Sequence, residues 1–251
     1  MARIDEIAPD LFRVSVFVPE INLQFNHFLV RDEEPLLFHT GMRRMFPEVR
    51  EAMARIINPA EIRWISWSHF EVDECGALNQ WLAEAPRAQP FCTEVGALVN
   101  LRDFSDRPAR GLRADETIDT GRHRYRLIAT PHLPHGWDAG VLFEERDGIL
   151  LCSDLFHQVG DREPVTGGDI LDRWGHAMDA YQRNPVLMDY MPVTTNTRRQ
   201  LEKLAALEPR LIAAMHGSSF AGDGAAALRG AADVMYTHLG GTDTKPGSDG
   251  A

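Results

Sequence analysis

The chain has little of what would tie it to an oxidising, membrane or polyanion setting. It carries three cysteines, Cys75, Cys92 and Cys152. They show no Cys-x-x-Cys spacing and an odd number cannot pair completely, so a reduced, cytoplasmic protein is expected. No run approaches the ~18 apolar residues of a membrane span. Residues 1–7 place Asp5 and Glu6 where a secretory signal needs a basic region and an apolar core, so neither export nor membrane insertion is expected. Basic side chains are outnumbered, 26 Lys and Arg against 37 Asp and Glu, giving a net charge of −11. Such a balance argues against a general nucleic-acid binder. A GxGxxG following a strand, a P-loop and a GxSxG elbow are all missing, so nucleotide-binding and serine-hydrolase readings have no anchor.

What is present is a chain of 251 residues, enough for one large domain, with strands and helices in two blocks. Apolar, β-prone runs at 11–18, 26–30 and 36–41 predict an opening antiparallel sheet. Residues 47–57 have helical spacing, and a strand follows at 62–67. Residues 77–85 and 94–101 are helix-prone around a short strand at Phe91-Cys92, and 102–115 reads as a polar connection. A second block of strands is predicted at 117–118, 125–129, 141–144 and 148–152, with Asp147-Gly148 as a hairpin turn. Residues 166–207 read as mostly helical with breaks near Pro185 and Pro192, 211–215 as a buried strand and 225–238 as a closing helix. Two stacked sheets with helices outside, an αββα sandwich of the α/β class, cover both faces of each sheet. The domain is placed at 1–239, and the polar residues 240–251 are expected to be a disordered tail.

The stretch with most chemistry is Trp67 to Gly76. His69, Glu71, Asp73 and Glu74 crowd between a strand and a helix, where a cation would relieve their repulsion and desolvation. The same residues also suit a plain helix entry, with Asp73 as cap and Glu71 and Glu74 as solvated first-turn acids. Three more loops leave the carboxyl ends of predicted strands with ligand types in them: 130–138 with His132, His135 and Asp138, 153–157 with Asp154 and His157, and 216–219 with His216. Four such loops can converge on one rim.

The series His69-x-Glu71-x-Asp73, His135, Asp154 and His216 resembles the metallo-β-lactamase superfamily, and within it the diiron domain of flavodiiron proteins. Hydrolytic members usually carry a second histidine where this chain has Glu71, whereas the diiron members carry glutamate. The resemblance implies that His69, Glu71 and His135 hold one iron, that Asp73 and His216 hold the second, and that Asp154 bridges them. Oxygen ligands in place of an imidazole favour iron or manganese over zinc. One departure is Glu74, where the family commonly has histidine; it is kept as a candidate ligand. His39 replaces a common aspartate and is read either as orienting a ligand or as hydrogen-bonded packing. His132, His157 and His176 are expected away from the pocket, Cys152 to pack as a small hydrophobe, and Trp67, Trp137 and Phe156 to form walls.

The resemblance further implies binding or reduction of dioxygen or nitric oxide at two Fe ions. Electrons are expected from an external donor such as a flavodoxin, a rubredoxin or a flavin reductase, unless the protein serves as an oxygen sensor. A homodimer is left open. The competing reading is a dinuclear hydrolase of esters or phosphodiesters, with Zn or Mn activating water.

Overall fold

The computed structural model describes residues 1–240, and its fourteen strands there form two seven-stranded sheets. In the first, β1 (Arg3–Ala8), β2 (Leu11–Val18), β3 (Leu23–Val30) and β4 (Leu36–Phe38) pair antiparallel in sequence order. Three parallel strands continue it: β5 (Trp64–Ser66), β6 (Gln89–Thr93) and β7 (Arg110–Leu112). Parallel neighbours need crossovers. These are α1 (Phe46–Met53), then α2 (Val72–Cys75) with α3 (Leu78–Glu84), then the widely wound turn Gly96–Leu101 with α4 (Arg102–Phe104).

In the second sheet, β8 (Thr117–Asp119), β9 (Arg124–Ala129), β10 (Gly140–Glu144) and β11 (Ile149–Ser153) are antiparallel neighbours. The other edge holds β12 (Val165–Thr166), β13 (Leu211–Ala214) and β14 (Ser219–Ala221), with β13 parallel to β11. Helices α5 (Ile170–Gln182) and α6 (Thr197–Ala205) lie between β12 and β13 in the chain, and α7 (Gly224–Leu239) closes it.

Alternation along each strand divides the core into three layers. Leu36 and Phe38 of β4, Leu142 of β10 and Ile149 and Leu151 of β11 meet between the sheets. Their neighbours face outward: Leu37 packs with Val49, Met53 and Trp81, and Leu150 packs with Trp174, Met178 and Leu204. This is the four-layered αββα arrangement of the metallo-β-lactamase fold.

The structure adds strands at both ends of what the sequence indicated. Residues 102–115 contain α4 and β7 instead of a bare connection, because β7 pairs with β6. The long helical stretch splits into α5 and α6 around an irregular segment. All three cysteines are buried and free. No helix among the described residues is long and apolar enough to cross a membrane. Apart from Gly240, the expected tail at 240–251 lies outside the described residues.

Candidate metal centre

Each loop of the site has a local reason for its course. Beyond β5 the chain bends over Ser68–Phe70, where the Glu71 N–H donates to His69 O at 3.0 Å, is extended at Glu71, and then enters α2, which carries Asp73 and Glu74 in its first turn. After β9 the 130–138 loop folds on itself: Thr130 Oγ1 donates to Leu133 O at 2.7 Å, and the His132 N–H donates to Gly136 O at 2.8 Å. Gly136 has φ +81°, and a Cβ there would stand 3.1 Å from His69 Cβ. Glycine therefore lets the His135 loop close onto His69. In β11 the register slips between Leu151 and Ser153, and Ser153 takes φ +57°. Such a bulge re-aims the next side chain, here Asp154. The segment after β13 is strapped to β3: the Asn26 side-chain amide donates to Ala214 O and Gly217 O at 2.9 and 2.8 Å.

The result brings residues from four loops together around Asp154. Its Oδ2 lies 3.0 Å from His135 Nε2 and 3.5 Å from His69 Nε2, and Glu71 Oε2 is 3.0 Å from both imidazoles. The other oxygen, Oδ1, lies 3.3 Å from His216 Nε2, which is itself 3.4 Å from Asp73 Oδ2. The carboxylate thus faces a group with each oxygen: the trio His69, Glu71 and His135 on one side, the pair Asp73 and His216 on the other. Ligating atoms of His69, Glu71, His135 and Asp154 all fall within 4.8 Å of one another.

Of these contacts His69 Nε2 with Glu71 Oε2 is a hydrogen bond, yet other atoms of the cluster are left without one. His135 Nε2, Asp154 Oδ1 and Asp73 Oδ1 are buried atoms without a hydrogen-bond partner. Orphans of this kind are costly unless something else satisfies them. Two imidazoles are also anchored from behind: His135 Nδ1 donates to Tyr190 O, and His216 Nδ1 donates to Gln24 O, each at 2.8 Å. A backbone carbonyl on Nδ1 fixes the ring and turns Nε2 toward the centre, the usual arrangement behind a metal-bound histidine. The donor set therefore fits a cation pair.

Without a cation, protons neutralise the cluster. Burial disfavours charge on His135, but Asp154 and Glu71 outweigh it and hold its pKa up at about 11. His216 is likewise penalised by burial, yet Asp154 and Asp73 lift it well above the ordinary range. Burial opposes ionisation of Asp154 too, and His135 and His216 overcome it, keeping that carboxyl well below its usual value. His135 and His69 together lower Glu71 to about 2.

Glu74 joins neither group. Its carboxyl accepts from the Ser68 N–H at 2.8 Å and from the Ser153 hydroxyl, and His39 Nε2 is 3.4 Å away. Burial raises its pKa to about 8, so the group is protonated at neutral pH. His39 donates from Nδ1 to Asn26 O at 3.1 Å. Asp138 accepts from the Phe70 N–H and the Asn100 amide, bracing the His69 loop. His132 and His176 are exposed, and Cys152 packs among the apolar residues of the second sheet. Trp67 and Phe156 are buried, while Trp137 is 59% exposed and walls nothing. His157, expected elsewhere, lines the cavity with Tyr181, Tyr190, Leu23 and Leu187. That cavity measures about 180 Å³.

The rubredoxin-oxygen oxidoreductase of Megalodesulfovibrio gigas is 27% identical over 209 residues, covering 79% of this chain and 49% of the relative. The anaerobic nitric oxide reductase flavorubredoxin of Salmonella arizonae is 25% identical over 137 residues, 53% of this chain and 28% of its own. The chain thus spans about half or less of the curated relatives it matches. Among solved structures, the rubredoxin oxygen:oxidoreductase of Desulfovibrio gigas superimposes with a TM-score of 0.76 at 21% identity, over 93% of this chain and 61% of that one. The apo chemotaxis sensor ODP from T. denticola gives 0.72 at 17% identity, over 96% and 94%. A family model described as ODP family beta lactamase matches residues 23–217, and the chain belongs to that family.

Proposed function

We propose that this protein is a non-haem diiron protein that binds dioxygen or nitric oxide, and that reduces it when an external donor supplies electrons. The observation that carries the reading is the donor set itself: three imidazoles and three carboxylates divided about Asp154, with buried orphan atoms, at a cavity of about 180 Å³. His69, Glu71 and His135 would hold one ion, Asp73 and His216 the other, with Asp154 between them. Ferrous ions in such a site supply electrons and open coordination positions for a diatomic molecule. The protein's own part is to fix the donors through Tyr190 O and Gln24 O, and to line the cavity with Tyr181, Tyr190 and Leu187. Glu74 supports Ser68 and Ser153 from beneath and is not a ligand.

The cavity also bears on the hydrolytic alternative. Sites for organic substrates usually measure roughly 300–1,000 Å³, whereas about 180 Å³ holds a few water-sized molecules at ~30 Å³ each. The relatives named as oxygen and nitric oxide reductases support the same side. Anaerobic reconstitution with ferrous iron is the test. It should give about two irons per chain, followed by an absorbance change on exposure to oxygen or nitric oxide. Zinc retained through purification, with esterase or phosphodiesterase activity and no response to either gas, would overturn the reading.

A further inference from the structure

One wall of the cavity contains a histidine that the six-residue cluster leaves unused. The turn that delivers Asp154 also delivers His157, whose N–H donates to Asp154 O at 3.1 Å. Phe156 between them has φ +63°. The His157 ring is 1% exposed and is held on two sides: its centroid lies 4.9 Å from that of Tyr181 and 5.2 Å from that of Tyr190, the latter nearly perpendicular. Its Nδ1 is 3.1 Å from the Tyr190 hydroxyl. Its Nε2 is buried and has no partner in the protein.

These contacts define what the ring offers. A phenol hydroxyl that donates to Nδ1 leaves the imidazole proton on Nε2. The ring lines the cavity and Nδ1 is already engaged, so Nε2 is the nitrogen left for whatever the cavity holds. A buried donor without a partner is destabilising and is found where a ligand completes it. Tyr190 is also the residue whose carbonyl anchors His135. It thereby couples the orientation of a ligand of the candidate centre to that of His157.

We propose that His157 Nε2–H donates a hydrogen bond to the small, lone-pair-bearing molecule bound in this cavity, and that the Tyr190 hydroxyl is a positioning group that holds the required tautomer. The proposal rests on the diiron reading, and its test separates the two. Azide serves as the probe on iron-loaded, oxidised protein. Wild-type protein should bind it with an infrared azide stretch that shifts in D₂O. His157→Leu should keep two irons, bind azide about ten-fold more weakly, as expected for one lost hydrogen bond to an anion, and lose the D₂O shift. His157→Gln, which retains an N–H donor, should recover part of the affinity.

Tyr190→Phe keeps the carbonyl on His135 and should weaken azide less than His157→Leu does. In metal-free protein, ¹⁵N NMR should show His157 protonated on Nε2 in the wild type and mixed between tautomers in Tyr190→Phe, a change that mere packing would not produce. If the wild type takes up no iron, the diiron reading fails. If iron loads normally but the wild type shows no D₂O shift, or His157→Leu binds azide as tightly as the wild type, this proposal fails alone. Loss of iron in His157→Leu also counts against it, since a hydrogen-bond donor to the probe is not needed to hold metal.

Discussion

Among the residues of the site, Asp154 is the carboxylate that meets both groups, the trio and the pair. Asp154→Asn should therefore reduce iron from about two per chain to one or fewer, measured by elemental analysis after reconstitution. Glu71 and Glu74 give a sharper contrast. Glu71 is ionised and lies 3.0 Å from two imidazoles, so Glu71→Gln removes a charge that a cation needs and should weaken iron binding by at least ten-fold. Glu74 is already neutral at pH 7 because burial raises it to about 8; Glu74→Gln should leave two irons bound. Protons on the imidazoles stand in for the cation, and His135 at about 11 and His216 well above its ordinary value both carry one at neutral pH. Metal must displace them. Titration calorimetry in buffers of different ionisation enthalpy should show at least two protons released on loading near pH 7, with affinity falling as pH is lowered.

Elements differ in how openly the sequence announces them. The runs that became β4, β10 and β11 alternate between two apolar layers, so composition and period revealed them. Strands β1, β7, β12 and β14 are short or polar and are completed by their neighbours, and pairing partners leave no trace in local sequence. The ends of β5, β9, β11 and β13 were legible as places where ligand types follow apolar runs. His157 was not, because a left-handed residue at Phe156 and two tyrosines from around α5 bring it to the cavity, and periodicity cannot register either. Glu74 was ambiguous for a related reason: only the approach of Ser153 from the other sheet gives its carboxyl somewhere else to go. The loop after β13 shows how narrow such geometry is. Gly217 has φ +97°, and an added Cβ would lie 2.7 Å from Gln158 Cβ, while its carbonyl accepts from Arg13 and Asn26. Gly217→Ala should cost about 1–3 kcal/mol, read from the urea midpoint, and should weaken iron binding because His216 precedes it.

For the molecule as a whole, tolerance of acid depends on groups that the layers hold neutral. His27 sits in β3 opposite Val14, is completely buried, and donates from Nδ1 to His39 O at 3.2 Å. Burial lowers its pKa from 6.5 to about 4. Because the folded value lies below the unfolded one, the unfolded chain binds the proton first. His27 therefore contributes stability that is complete above pH 6.5 and is lost as pH falls toward 4. Between pH 7.5 and pH 5 the loss from this one residue is on the order of 2 kcal/mol, a large share of the ~5–15 kcal/mol typical of a domain. The imidazoles of the candidate centre act in the opposite direction, since their raised values favour the folded state as pH falls. The net slope of the wild type mixes the two, so the comparison must isolate His27. In chelator-treated protein, His27→Gln keeps an amide that can donate to His39 O but cannot titrate. It should be less stable than the wild type at pH 7.5, and the gap should narrow by about 2 kcal/mol at pH 5. Parallel urea curves at the two pH values check this, and a gap that stays constant would show that His27 is not the group through which acid acts.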